Sequence, residues 1–164
     1  MSKQLHDPIT PGPLLAQLAF LLGDFAGHGE FADGRGTFSK TVSGQAEAGG
    51  RFIGLRMEAS YPLPDGSVDT HSAFVVVGTM IATPSILTAR AYTDSGSVHD
   101  YQVDVRDQQL VFADVLPDHG QHWTRARKIL MPKDYGFEER LEVATGDGDF
   151  VPYYRIAMRR VDAD

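Results

Sequence analysis

Alternation dominates this chain. After residue 23, apolar residues that alternate with polar ones or run continuously, rich in β-branched and aromatic types, recur at roughly 24–31, 37–47, 51–61, 70–82, 85–93, 97–106, 109–115, 121–132, 134–144 and 149–161. Each stretch reads as a strand. The separators carry turn chemistry: ADGRG at 32–36, AGG at 48–50, PLPDGS at 62–67, TP at 83–84, DSG at 94–96, PDHG at 117–120, MPKD at 131–134 and GDGD at 146–149. Only the beginning departs from this period. In TPGPLLAQLAFLLG the residues Leu14, Leu15, Leu18, Leu21 and Leu22 recur at spacings of one, three and four, which puts them on one helical stripe. Pro13 suits a first turn and Gly23 the left-handed residue that ends a helix, so the pattern predicts a helix over 13–22 after a tail at 1–11.

Ten consecutive strands with short links make an antiparallel meander, and a meander that long removes its exposed edges most simply by closing on itself. The predicted fold is therefore all-β: a ten-stranded antiparallel up-and-down β-barrel over 24–161, with the short N-terminal helix closing one end and a β-sandwich as its rival. Ten strands enclose more space than the eight whose side chains nearly fill a barrel, so a cavity with one mouth is expected.

Composition narrows the classes. The 164 residues, 42% hydrophobic and 23% charged, fit a single domain over 1–164 that needs no disulfide or zinc to hold a core. There is no cysteine, which excludes thiolate nucleophiles and cysteine metal sites. Together with the absence of a signal-peptide pattern in MSKQLHDP, this predicts a cytoplasmic protein. A net charge of −7 has the wrong sign for gripping phosphate backbones, so no nucleic-acid partner is expected. The longest apolar region, Phe74 to Leu87, is broken by Gly78, Thr79, Thr83, Pro84 and Ser85 and falls short of the ~20 residues that span a bilayer.

Two segments resemble a known group. The run LAFLLGDFAGHGEF at 18–31 is similar to the opening signature of calycin barrels related to fatty-acid-binding proteins, in particular the nitrobindin-like and bacterial domain-of-unknown-function families. Leu22, Gly23, Gly27 and Gly29 match its Leu-Gly-x-Trp-x-Gly-x-Gly pattern, with Phe25 where the aromatic is more often Trp. AGGRFIGL at 48–55 resembles the Gly-Gly-Arg-Phe turn and strand of the same group. ADGRG is too short for the two helices of the vertebrate fatty-acid-binding type, which favours the nitrobindin-like branch. That resemblance implies haem as an alternative cofactor, held in the family by a His near the start of the last strand, typically after a Pro. Here Tyr153 follows Pro152, so the family's His is missing and a Tyr stands in its place.

Candidate binding chemistry concentrates on the last strand. Strict alternation puts Tyr153, Arg155 and Ala157 on one face and Tyr154, Ile156 and Met158 on the other. Facing inward, a phenol and a guanidinium side by side suit an anionic headgroup; facing outward, Arg155 pairs with a surface acid. Arg51 and Arg90 are further candidates for an interior cation, Trp123 is a stacking lid or a core plug, and Phe74, Val76, Met80, Ile86 and Phe137 are the expected apolar lining. Asp118, His119 and His122 share a turn but lack metal-ligand spacing; His28, His71 and His99 are candidates for the cavity wall. No nucleophile elbow or phosphate loop is present, and Glu138 and Glu139 point to opposite faces of a strand.

The sequence thus predicts a carrier that binds a small hydrophobic or amphipathic, anionic ligand. Its alternatives are a haem protein, a cavity enzyme of isomerase or hydrolase type with no named residue, and a plugged interaction module. Whether the chain forms a homodimer is left open.

Overall fold

The structure, a computed structural model, describes residues 13–80, 83–114 and 125–161. Ten strands follow in order: β1 (Gly23–Phe31), β2 (Thr37–Glu47), β3 (Phe52–Pro62), β4 (Val68–Met80), β5 (Thr83–Thr93), β6 (Val98–Arg106), β7 (Gln109–Asp114), β8 (Arg125–Lys133), β9 (Gly136–Ala144) and β10 (Val151–Arg160). Each pairs antiparallel with its sequence neighbours, and β1 closes the ring on β10, Phe25 opposite Arg160 and Phe31 opposite Tyr154. The result is the predicted closed ten-stranded barrel. No helix among the described residues is long and apolar enough to cross a membrane.

The N-terminal helix is shorter than the sequence predicts. In place of a continuous helix there is a four-residue turn, α1 (Pro13–Ala16), and a 3-10 turn at Ala19–Leu21. The amides of Leu18, Leu21 and Leu22 donate to the carbonyls of Leu15, Leu18 and Ala19, each three residues back. Leu15, Leu18 and Leu21 are the buried leucines, and a spacing of three matches the 3-10 period rather than the α-helical one. The sharper winding lets all three drop onto the end of the barrel. At Gly44 an added Cβ would stand 1.8 Å from the Leu21 carbonyl oxygen, so the missing side chain is what lets this turn seat against β2.

Inward positions near that end are apolar and solid. Phe25, Val42, Leu55, Val77, Leu87, Leu110, Leu130, Phe137 and Met158 are buried there, and Phe137 meets Phe25 and Phe20 edge-on at ring-centroid distances of 5.0 and 6.1 Å. These edge-to-face contacts are the favoured aromatic geometry. The opposite end is where β1, β3, β5 and β9 finish and where β2, β4, β6 and β10 begin; there the inward side chains turn aromatic and polar.

Candidate functional site

The interior changes character halfway along the barrel. Lys40 on β2 lies in phase with buried Phe38 and Val42, and Glu139 on β9 in phase with Phe137, so both charges point inward. The Lys40 ammonium donates to both oxygens of the Glu139 carboxylate at 2.7 Å. Lys128 on β8 places its own ammonium 3.5 Å from the same carboxylate, and the Tyr154 hydroxyl on β10 donates to it. Lys40 and Glu139 are 6% and 1% exposed, whereas 28% of the Lys128 side chain remains accessible. Gly27 lies directly opposite Lys40 on β1. A Cβ there would meet the Ala157 carbonyl oxygen at 2.3 Å.

Two ammonium groups thus share one carboxylate. Burial alone would raise the Glu139 carboxyl, but the charges of Lys128 and Lys40 and the hydrogen bonds from Lys40 and Tyr154 hold it down at about 2. Burial brings the Lys40 amine down to about 8 against the pull of Glu139, and the charge of Lys128 adds to the fall. For Lys128 burial acts the same way, yet attraction to Glu139 outweighs it and keeps this ammonium above its ordinary range. Burial, then Glu139, pushes the Tyr154 phenol well above its usual value. At neutral pH the cluster therefore carries a net positive charge.

The cluster borders open space. A cavity of about 290 Å³ is walled by Lys40, Lys128, Tyr154, Tyr61, His71, His99, Met57 and Ala73, with Asp94, Ser95 and Ser97 from the β5–β6 turn. It adjoins a recess of about 850 Å³ at the barrel mouth, lined by Phe31, Arg35, Tyr61, Leu63, His71, Leu141, Tyr153 and Tyr154. Phe38, Tyr61, Phe31 and Tyr154 form a ring stack at the rim, with centroids 5.0–6.5 Å apart. The Arg35 guanidinium lies 4.3 Å from the Phe31 ring and 4.6 Å from that of Tyr153.

Of the expected site residues, Val76, Ile86 and Arg90 come together, but in a recess of about 630 Å³ on the outer face and not in the lumen; the others do not join them. The alternation along β10 holds from Tyr153 on, and the lumen takes the face of Tyr154, Ile156 and Met158, which are buried inside; the register shift lies ahead of them, between Pro152 and Tyr154. Tyr153 sits half-buried at the mouth, while Arg155 is 68% exposed on the outside, where it and Arg140 bind Glu138. The outward alternative for Arg155 is thus the arrangement found. Arg90 is also external, donating twice to Asp100 on β6 at 2.6 and 3.1 Å. Arg51 is exposed in the β2–β3 turn, where Ala48, Gly49 and Gly50 all have positive φ.

The apolar lining is displaced too. Phe74 and Val76 alternate with buried Val75 and Val77 and so lie on the outer face, as does exposed Ile86; Phe137 belongs to the solid end of the core. The Met80 backbone ends β4 and its side chain lies outside the described residues, as do Trp123, Asp118, His119 and His122. His28 faces outward and is exposed; His71 and His99 line the cavity, with His71 also 3.0 Å from Asp69.

Neither tyrosine at the start of β10 is presented as an axial ligand: the Tyr154 hydroxyl donates to Glu139, with burial holding its phenol well above the usual range, and the Arg35 guanidinium lies over the Tyr153 ring.

Spacing along the chain does not reveal the cluster, because Lys40 and Glu139 are 99 residues apart. A signal existed: each stands in the apolar phase of its strand, Phe38-Lys40-Val42 and Phe137-Glu139-Leu141, where a charge needs a buried partner.

Neither protein-family models nor curated protein sequences match the chain. Among solved structures it is similar to the crystal structure of Rv2717c from M. tuberculosis, with a TM-score of 0.63 and 15% identity over 93% of this chain and 100% of that one. At that identity the likeness concerns the fold alone, and with the closed ten-strand ring it fits a calycin-like barrel.

Proposed function

We propose that the barrel binds a small amphipathic anion, its charged group against Lys128 and its apolar part among the aromatic rings of the mouth. The observation that carries this reading is the imbalance of the buried cluster: two lysines to one carboxylate, with Lys128 the less covered side chain and Asp94, on the cavity wall, engaged by the Ser72 amide. A surplus charge in a partly desolvated site is stabilised by a counter-ion of opposite sign, and charge-assisted hydrogen bonds are strong there. Phe31, Tyr61, Tyr153 and Tyr154 supply the apolar contact. A ligand held this way needs no residue from the outer face.

Titration of the fluorescent anion 1-anilinonaphthalene-8-sulfonate into wild type, Lys128→Met and Arg155→Ala tests it. Losing one charged hydrogen bond weakens binding by about tenfold or more in Lys128→Met, whereas external Arg155→Ala binds like wild type. Affinity also falls as pH rises through about 8, where Lys40 loses its proton and the surplus charge disappears. Equal affinity of wild type and Lys128→Met overturns the reading.

A further inference from the structure

The chain has four lysines, at 3, 40, 128 and 133, against eleven arginines. Two of those four point into the barrel and converge on one carboxylate. An arginine would serve an ion pair at least as well and cannot be deprotonated. What a lysine offers in its place is an amine that becomes a nucleophile once its proton is removed.

Lys40 has the surroundings that such a nucleophile requires. It lines a cavity rather than a packed core, and its nitrogen lies 2.7 Å from both oxygens of a carboxylate that fixes the position of the amine. A second ammonium, Lys128, approaches the same carboxylate, and a cation beside a desolvated lysine favours its neutral form. The Tyr154 hydroxyl, bonded to Glu139, is a proton source for an oxygen that develops charge next to it. Tyr61, His71 and His99 complete the polar wall. The cavity, about 290 Å³, stands at the lower edge of the volumes that hold small molecules.

We propose that Lys40 captures a small aldehyde or ketone in the lumen as an imine. Solvent takes the proton of the Lys40 ammonium while Glu139 stays ionised and holds the amine in place, and the freed lone pair adds to the carbonyl carbon. A C–N bond forms as the C=O π pair moves to oxygen; the oxygen gains a proton and the nitrogen gives one up to solvent, leaving a neutral carbinolamine. The nitrogen lone pair then expels that hydroxyl with a proton as water, leaving a C=N bond and a proton on nitrogen. Amine plus carbonyl gives imine plus water, with no oxidant or reductant. The depressed basicity of Lys40, about 8, supports the step by supplying neutral amine near physiological pH.

The inference shares the lumen with the anion-binding reading but runs opposite to it in pH. Benzaldehyde with sodium cyanoborohydride, which reduces an imine to a stable secondary amine, is the probe, and peptide mapping by mass spectrometry locates the benzyl group. Lys40 is expected to label faster than the exposed Lys133, at a rate that rises as pH passes through about 8. Lys128→Met slows labelling of Lys40 by about tenfold for each unit that its basicity recovers. Lys40→Arg retains a cation for Glu139 and loses the internal adduct; the map of the wild-type protein stands even if that variant does not fold. Labelling of Lys133 with none at Lys40, or equal rates at both, overturns the proposal. Sulfonate binding without a Lys40 adduct defeats the imine alone, and an adduct in a protein indifferent to the sulfonate defeats the anion carrier alone.

Discussion

The two ends of this barrel are built by the same ten strands and do different work. At the closed end, Leu18, Leu21, Phe25 and Phe137 fill the lumen with edge-on rings and branched side chains. One or two inward positions further along the same walls, Val42 gives way to Lys40, Phe137 to Glu139 and Leu130 to Lys128, and the interior opens. Packing at one end frees the other from the need to be apolar. The contrast also shows why a charge pair survives here: both members are held by strands whose register is fixed by the closed end, so the cost of ordering them is shared with the core.

The largest break in that contrast is Glu139→Gln. It leaves two buried or half-buried ammonium groups without a counter-charge, and removing one partner of a buried pair costs about 3–5 kcal/mol. Urea unfolding should show that loss, and the double change Lys40→Met with Glu139→Met should recover most of it. Full stability of Glu139→Gln would mean that the cluster is solvated.

At the other end, Leu18→Ala removes a fully buried side chain and should cost about 3 kcal/mol. Sulfonate affinity measured at saturating folded protein should stay that of wild type. If Leu18→Ala weakens binding as strongly as Lys128→Met, the two ends are not separable.

A smaller effect separates the ends by pH. The Glu139 carboxyl is held at about 2 against an ordinary 4.5, so its contribution is complete above pH 4.5 and is lost as pH falls towards 2. Between neutral pH and pH 3 the stability gap between wild type and Glu139→Gln should narrow by about 2 kcal/mol. The gap between wild type and Leu18→Ala should hold steady over the same range. Arg155→Ala, which removes an exposed guanidinium from buried Glu138 but leaves it Arg140, should change stability least of these variants in the same assay.

Much of the fold was legible because its signals are local. Turn residues such as Asp65-Gly66 and Ser95-Gly96 sit where the hairpins reverse, and the strands begin and end within a few residues of their predicted bounds. The site was less legible. In Phe74-Val75-Val76-Val77 every position is apolar, so alternation has no phase and the lining residues could be assigned to either face. On β10 the alternation was legible, but it does not say which of its two faces is inside, and the closed ring put Arg155 outside.

The amino-acid order by itself determined ten strands and most of their turns, since these depend on neighbours a few residues apart, although Thr83–Pro84 and Met131–Lys133 belong to strands; closure joins Phe25 to Arg160 and followed only from the need to remove edges. Which side of each strand faces the lumen, and that Lys40, Lys128 and Glu139 meet there, was decided only by the closed ring. Curvature and register join positions that no periodicity along the chain connects.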